Sequence, residues 1–180
     1  MGLYRIRFIV FVLLLTASTL GYAGKSRTEK GGDILQILIP LTAYGSTFYM
    51  DDRQGTNQFY KSFLTTFIIT HGLKIIVDEK RPGNNGGQSF PSGHTSAAFQ
   101  GAAFIQMRYG WKYALPAYAA ASFVGWSRIR ADKHYPIDVL AGAAIGILSN
   151  DYFTSPYKGL TVTPYTGKNM FGVNLSMNWY

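Results

Sequence analysis

Apolar residues in this chain come in long blocks separated by short polar segments. Residues 33–50, 59–80, 92–110, 111–129 and 137–153 are apolar-rich, and each is too long for an ordinary strand. In the second block Tyr60, Phe63, Leu64, Phe67, His71 and Lys74 recur three or four residues apart, which puts them on one face of a helix. The first block contains Pro40, where the helix is expected to be disturbed. The last three blocks are rich in Ala and Gly, which lets helices approach closely. Between the second and third, "RPGNNGGQSFP" cannot continue either neighbour as a helix. The period changes near the end of the chain: Phe171, Val173, Leu175 and Met177 alternate with polar or small residues, as in a strand. With "GLTVTPY" before it and "TGKN" between, this predicts a hairpin. One hairpin cannot close a membrane barrel, so it is read as a tail packed on its own domain or at a membrane surface. The expected fold is all-α: an antiparallel bundle of about five core helices with a β-hairpin-like C-terminal tail.

The N-terminal segment has a different look. Arg5 and Arg7 precede the unbroken run "FIVFVLLL", and small residues Gly21 and Ala23 follow. That is the pattern of a secretory signal; an uncleaved anchor helix is the alternative. The expected division is 1–23 as signal peptide or signal anchor, 33–153 as the helical domain, and 154–180 as the tail.

Composition narrows the chemistry. The 180 residues fit one domain, 47% are apolar, and no cysteine is present, which excludes disulfides and thiolate metal sites. The net charge of +8 is spread along the chain without a dense basic run. It therefore suits phosphorylated substrates or anionic lipid headgroups better than nucleic acid.

Three polar islands interrupt the apolar pattern. The first is Lys74, six residues, then Arg81 and Pro82. The second is "PSGH", residues 91–94, and the third is Ser127, Arg128, five residues, His134, three residues and Asp138. Each island sits at a helix end. Taken alone, Ser92 reads equally well as an ordinary N-cap or as part of an anion site at a helix N-terminus. In an antiparallel bundle the loops 81–91 and 128–136 fall at one pole and the "RYGWK" turn at the other. Lys74, Arg81, His94, Arg128 and His134 then meet: three cations, two histidines and a helix N-terminus, suited to phosphate. Asp51 and Asp52 fall at the opposite pole, His71 reads as packing, and Asp78 and Glu79 as partners of nearby cations.

The order K-x6-RP, PSGH, SR-x5-H-x3-D resembles the type 2 phosphatidic acid phosphatase superfamily, which includes bacterial acid phosphatases and vanadium haloperoxidases. The resemblance spans residues 74–138, with every signature position present, and "HYPIDVLAG" looks like the lipid-phosphatase branch. It implies that His134 attacks phosphorus and becomes a phosphohistidine while Asp138 orients its ring. His94 would protonate the leaving oxygen and later activate water. Lys74, Arg81 and Arg128, with Ser92 and the Gly93 N–H, would hold the phosphoryl oxygens. It also implies metal-independent hydrolysis with no cofactor. The expected substrate is a phosphate monoester or pyrophosphate of a membrane lipid: phosphatidic acid, phosphatidylglycerol phosphate, undecaprenyl diphosphate or a lipid A phosphate. The expected location is a bacterial inner membrane with the site on the periplasmic face, Arg108 and Lys112 on the inner side obeying the positive-inside tendency. A soluble periplasmic acid phosphatase is the alternative; a haloperoxidase and a non-catalytic scaffold are more distant ones.

Overall fold

The computed structural model describes residues 26–84, 86–157, 160–167 and 170–177, so the expected signal or anchor segment lies outside the described residues. Among the described residues five α-helices are followed by two strands: α1 (Arg27–Tyr49), α2 (Arg53–Val77), α3 (Gly93–Tyr109), α4 (Trp111–Arg130), α5 (Pro136–Phe153), β1 (Leu160–Gly167) and β2 (Met170–Met177). The strands pair antiparallel, Leu160 opposite Met177 and Gly167 opposite Met170.

Capping residues, more than apolar content, set where the helices start. α1 begins well before Asp33 because Ser26 accepts the N–H of Glu29 at 3.2 Å, and the S-x-x-E pattern opens the helix inside a polar stretch. It then runs through Pro40 without a break. α2 likewise starts ahead of Phe59, because Asp52 accepts the Gly55 N–H at 2.8 Å. It ends at Asp78, which takes the left-handed conformation (φ 43°) and gives its N–H to the Lys74 carbonyl. The buried face of α2 carries Phe59, Ser62, Phe63, Thr66, Thr70 and Lys74, whereas Leu64 is exposed. The expected face is therefore rotated toward the hydroxyl residues.

Consecutive helices alternate in direction, and α3 runs through the middle, packing on each of the other four. Its contact face is made of Ala98, Ala102, Ala103 and Phe104, all fully buried. Backbones come very close here. A Cβ on Gly146 of α5 would stand 2.6 Å from the Ser96 carbonyl oxygen and 2.7 Å from the Gln100 nitrogen of α3. On the other side, a Cβ on Gly101 would stand 2.7 Å from the Pro40 nitrogen of α1. Two polar pairs cross this interior: Gln100 donates to Ser62 Oγ at 3.0 Å, and Asn150 donates to the Gln100 carbonyl at 2.8 Å.

The pole away from the three islands is closed by a buried ion pair. Arg108 reaches Asp52 with two N–H donors, at 2.7 and 2.6 Å, and also donates to the carbonyls of Ser155 and Pro156. Burial alone would raise the Asp52 carboxyl, but Arg108, the Gly55 N–H and Tyr109 together hold it below its ordinary value. Arg108 is only 3% exposed, and its bonds to Ser155 and Pro156 tie the chain after α5 to the bundle.

Gly146→Ala is expected to lower stability by about 1–3 kcal/mol, since rigid backbone stands where the methyl must go. Gly72→Ala, where a Cβ would meet nothing within 4 Å, should leave stability unchanged or raise it slightly through helix propensity. Thermal melts of both variants check the contrast.

Candidate active site

The site forms where the C-terminus of α2, the N-termini of α3 and α5, the C-terminus of α4 and the first turns of α1 meet. Ser92 caps α3: its hydroxyl accepts from the Thr95 N–H at 3.4 Å and the Thr95 hydroxyl at 2.9 Å, and it is fully buried. Its own N–H reaches the Asp138 carbonyl at 2.9 Å, which locks the start of α3 to the start of α5. The approach needs Gly142, where a Cβ would lie 2.5 Å from the Ser92 carbonyl oxygen. His94 thus stands in the first turn of α3, at the positive end of that helix.

His134 lies in the loop between α4 and α5 and is 5% exposed. Its Nδ1 is 3.4 Å from Asp138 Oδ2 and 3.4 Å from Ser89 Oγ. Asp138 is fully buried, and its Oδ2 accepts the Tyr135 N–H at 2.8 Å and the Ser89 hydroxyl at 2.5 Å. Burial first, then the positive groups Lys74, Arg81, His94 and Arg128, press the His134 pKa down to about 2. The imidazole is held neutral, as a nucleophile must be.

Two of the three cations, Lys74 and Arg128, are anchored from behind. Lys74 donates to the carbonyls of Gln88 at 2.7 Å and Ser89 at 3.3 Å. Burial, followed by the nearby Arg81, lowers its pKa to about 8, with Asp138 opposing. Arg81 is half-buried on the loop after α2, and its Nε has no hydrogen-bond partner among the described residues. Arg128 donates from Nε to Ser127 Oγ at 3.0 Å, from Nη2 to the Glu29 carbonyl at 2.8 Å, and from Nη1 to Asp33 Oδ1 at 2.7 Å. α1 comes close enough for this because residue 32 is glycine: a Cβ there would fall 2.6 Å from Arg128 Nη2.

Every residue singled out from the sequence for this site is therefore found at the same pole of the bundle. The Ser92 hydroxyl oxygen accepts both of its bonds from Thr95, which leaves its own O–H proton to donate. His71 packs on the Phe67 ring, centroids 4.2 Å apart, as read from the sequence. Two residues were missed. Ser89, beside the second island, bridges His134 and Asp138. Asp33 lies far away in sequence, and its Oδ1 also contacts His94 Nε2 at 3.1 Å. Its only sequence signal is an isolated acid opening the apolar run "DILQILIPL".

A helical bundle that gathers cations and two histidines around a helix N-terminus is a site for phosphoryl transfer. The model of the PAP2 superfamily matches residues 53–153. The chain is 31% identical to a lipid A 4'-phosphatase of Helicobacter pylori over 84% of this chain and 85% of that one. It is 29% identical to a lipid A 1-phosphatase of Helicobacter pylori over 69% of this chain and 66% of the relative. In three dimensions it superposes on LpxE of Aquifex aeolicus with a TM-score of 0.54 at 20% identity, over 78% of this chain and 92% of that one. The chain belongs to the PAP2 superfamily, as a phosphoric monoester hydrolase of its lipid-phosphatase type.

The neutral His134 has a consequence for stability. It titrates near 2 in the folded protein and 6.5 is its ordinary value, so between these the unfolded chain binds the extra proton and acid favours unfolding. His134→Asn removes that linkage. As pH falls from 6 to 4, the stability difference should move in the variant's favour by about 1.4 kcal/mol per pH unit. Denaturant melts of both proteins measure it, and a difference that does not change with pH would mean the imidazole is not held neutral.

Proposed function

We propose that the protein removes a phosphate monoester from a membrane glycolipid of the lipid A type, through a phosphohistidine on His134. The observation that carries this reading is the convergence of His134, His94 and the cations Lys74, Arg81 and Arg128 on the N-terminus of α3. With Nδ1–H directed to Asp138, the His134 Nε2 lone pair attacks phosphorus in line with the ester oxygen. His94 gives a proton to that oxygen as the P–O bond breaks, then takes one from the water that cleaves the N–P bond. Lys74, Arg81, Arg128, the Ser92 hydroxyl and the Gly93 N–H at the start of α3 hold the three equatorial oxygens. Fixed cations stabilise the charge that other phosphatases give to metal ions, so hydrolysis is metal-independent.

A lipid substrate is supported by the activities of the relatives, lipid A phosphatases, and by the distribution of side chains. Ile34, Ile68, Ile75, Leu115, Leu140 and Leu148 are exposed, while Gln36, Ser62, Thr70, Gln100 and Asn150 are buried. An apolar outside around a hydroxyl- and amide-rich inside suits a bundle whose sides face acyl chains. Among the described residues no helix is long and apolar enough to cross a membrane. The working location we propose is nonetheless the periplasmic side of the inner membrane, with residues 1–23 as export signal or anchor, 33–153 as the catalytic unit and 154–180 as an appended tail.

The test is phosphate release from purified lipid A by detergent-solubilised protein, with EDTA present throughout. Activity is expected to persist, and orthovanadate to inhibit by adopting the five-coordinate geometry of the transition state. His134→Ala should reduce turnover by a factor on the order of 10³ or more and abolish an acid-labile, base-stable phosphoenzyme. Full loss on chelation, or substantial turnover by that variant, would overturn the mechanism.

A further inference from the structure

Asp138 supports the nucleophile, and a second carboxylate serves the other histidine. Asp33 sits on α1, outside the residues that the superfamily model matches, and its side chain is 15% exposed. One oxygen, Oδ1, takes both the Arg128 Nη1–H at 2.7 Å and His94 Nε2 at 3.1 Å. Arg128 is held on the same side by the Glu29 carbonyl, one turn earlier on α1. The first turns of this helix thus grip the acid and one phosphate-binding cation together.

We propose that Asp33 is a positioning residue for leaving-group departure, a role that rests on the phosphatase reading above. Accepting Nε2–H turns the His94 ring so that Nδ1 carries the proton aimed at the ester oxygen. When the P–O bond breaks, the N–P bond to His134 forms and the Nδ1 proton passes to the departing oxygen. His94 is left neutral, with Nε2–H still on Asp33. The same carboxylate fixes the guanidinium, so the acid and the cation keep one geometry about phosphorus through the step.

Leaving-group dependence separates this role from a structural one. Phenyl phosphate and p-nitrophenyl phosphate have nearly the same shape, but p-nitrophenolate departs without a proton and phenolate needs one. The value of kcat/KM reports only steps up to that departure. In Asp33→Asn it should fall about 100-fold for phenyl phosphate and about tenfold or less for p-nitrophenyl phosphate, within the range of general acid catalysis. The ratio of the two rates, taken in one preparation, does not depend on how much of the variant is folded. A shift of about tenfold in that ratio relative to wild type supports the role. Equal losses on both esters, or no loss on either, overturn it while leaving the phosphatase reading intact. A wild-type protein that hydrolyses neither these esters nor lipid A overturns both.

Discussion

The close approach of α3 to its neighbours is the constraint on which the site depends. Glycines at 142 and 146 let α5 lie backbone-to-backbone on α3, with Ser96 and Gln100 main-chain atoms where side chains would otherwise stand. That distance allows the Ser92 N–H to reach the Asp138 carbonyl, which sets the two helix starts in register. His94 rides on one start and the Asp138 that braces His134 on the other. A bundle with ordinary side chains at those positions would stand farther apart, and the two histidines would separate with it.

Electrostatics explains why the pole is built so heavily from main-chain carbonyls. Lys74, Arg81 and Arg128 repel one another, and together with burial they press His134 toward neutrality. Lys74 and Arg128 are held in place by the carbonyls of Gln88, Ser89 and Glu29, which supply partial negative charge without neutralising the cations. Attraction for a phosphoryl group is thereby kept. The carboxylates of Asp138 and Asp33 each also contact a histidine. The opposite pole follows the other rule: Arg108 is matched bidentately by Asp52 and buried, so it serves as a clasp.

Much of this was legible in the residues themselves. The five helical blocks follow from apolar stretches bounded by Gly, Pro and polar breakers, and the observed helices lie within a few residues of them. The early starts of α1 and α2 had a sequence signature too, since Ser26 and Asp52 are good caps that periodicity alone does not register. The spacing of Lys74 and Arg81, of the PSGH turn, and of Arg128, His134 and Asp138 marked the site, because short-range spacing decides which residues share a helix end.

Burial and partnership were decided only by the fold. Leu64 and Thr66 stand two residues apart on one helix, and only packing on α3 and α5 determined that the threonine faces inward. Nothing in the local sequence pairs Arg108 with Asp52, more than fifty residues away, and the fold alone brings them together. Ser92 offered a cap or a ligand to phosphate, and the fold uses its hydroxyl oxygen in the cap while its O–H proton stays available to donate. Asp33 carried no motif, and its place between His94 and Arg128 exists only because Gly32 lets α1 pass close to α4. Local spacing is set by covalent geometry, so the sequence by itself determined the helices and the motif-bearing ends. The pairing of distant charges depends on how those helices dock, and only the tertiary structure could decide it.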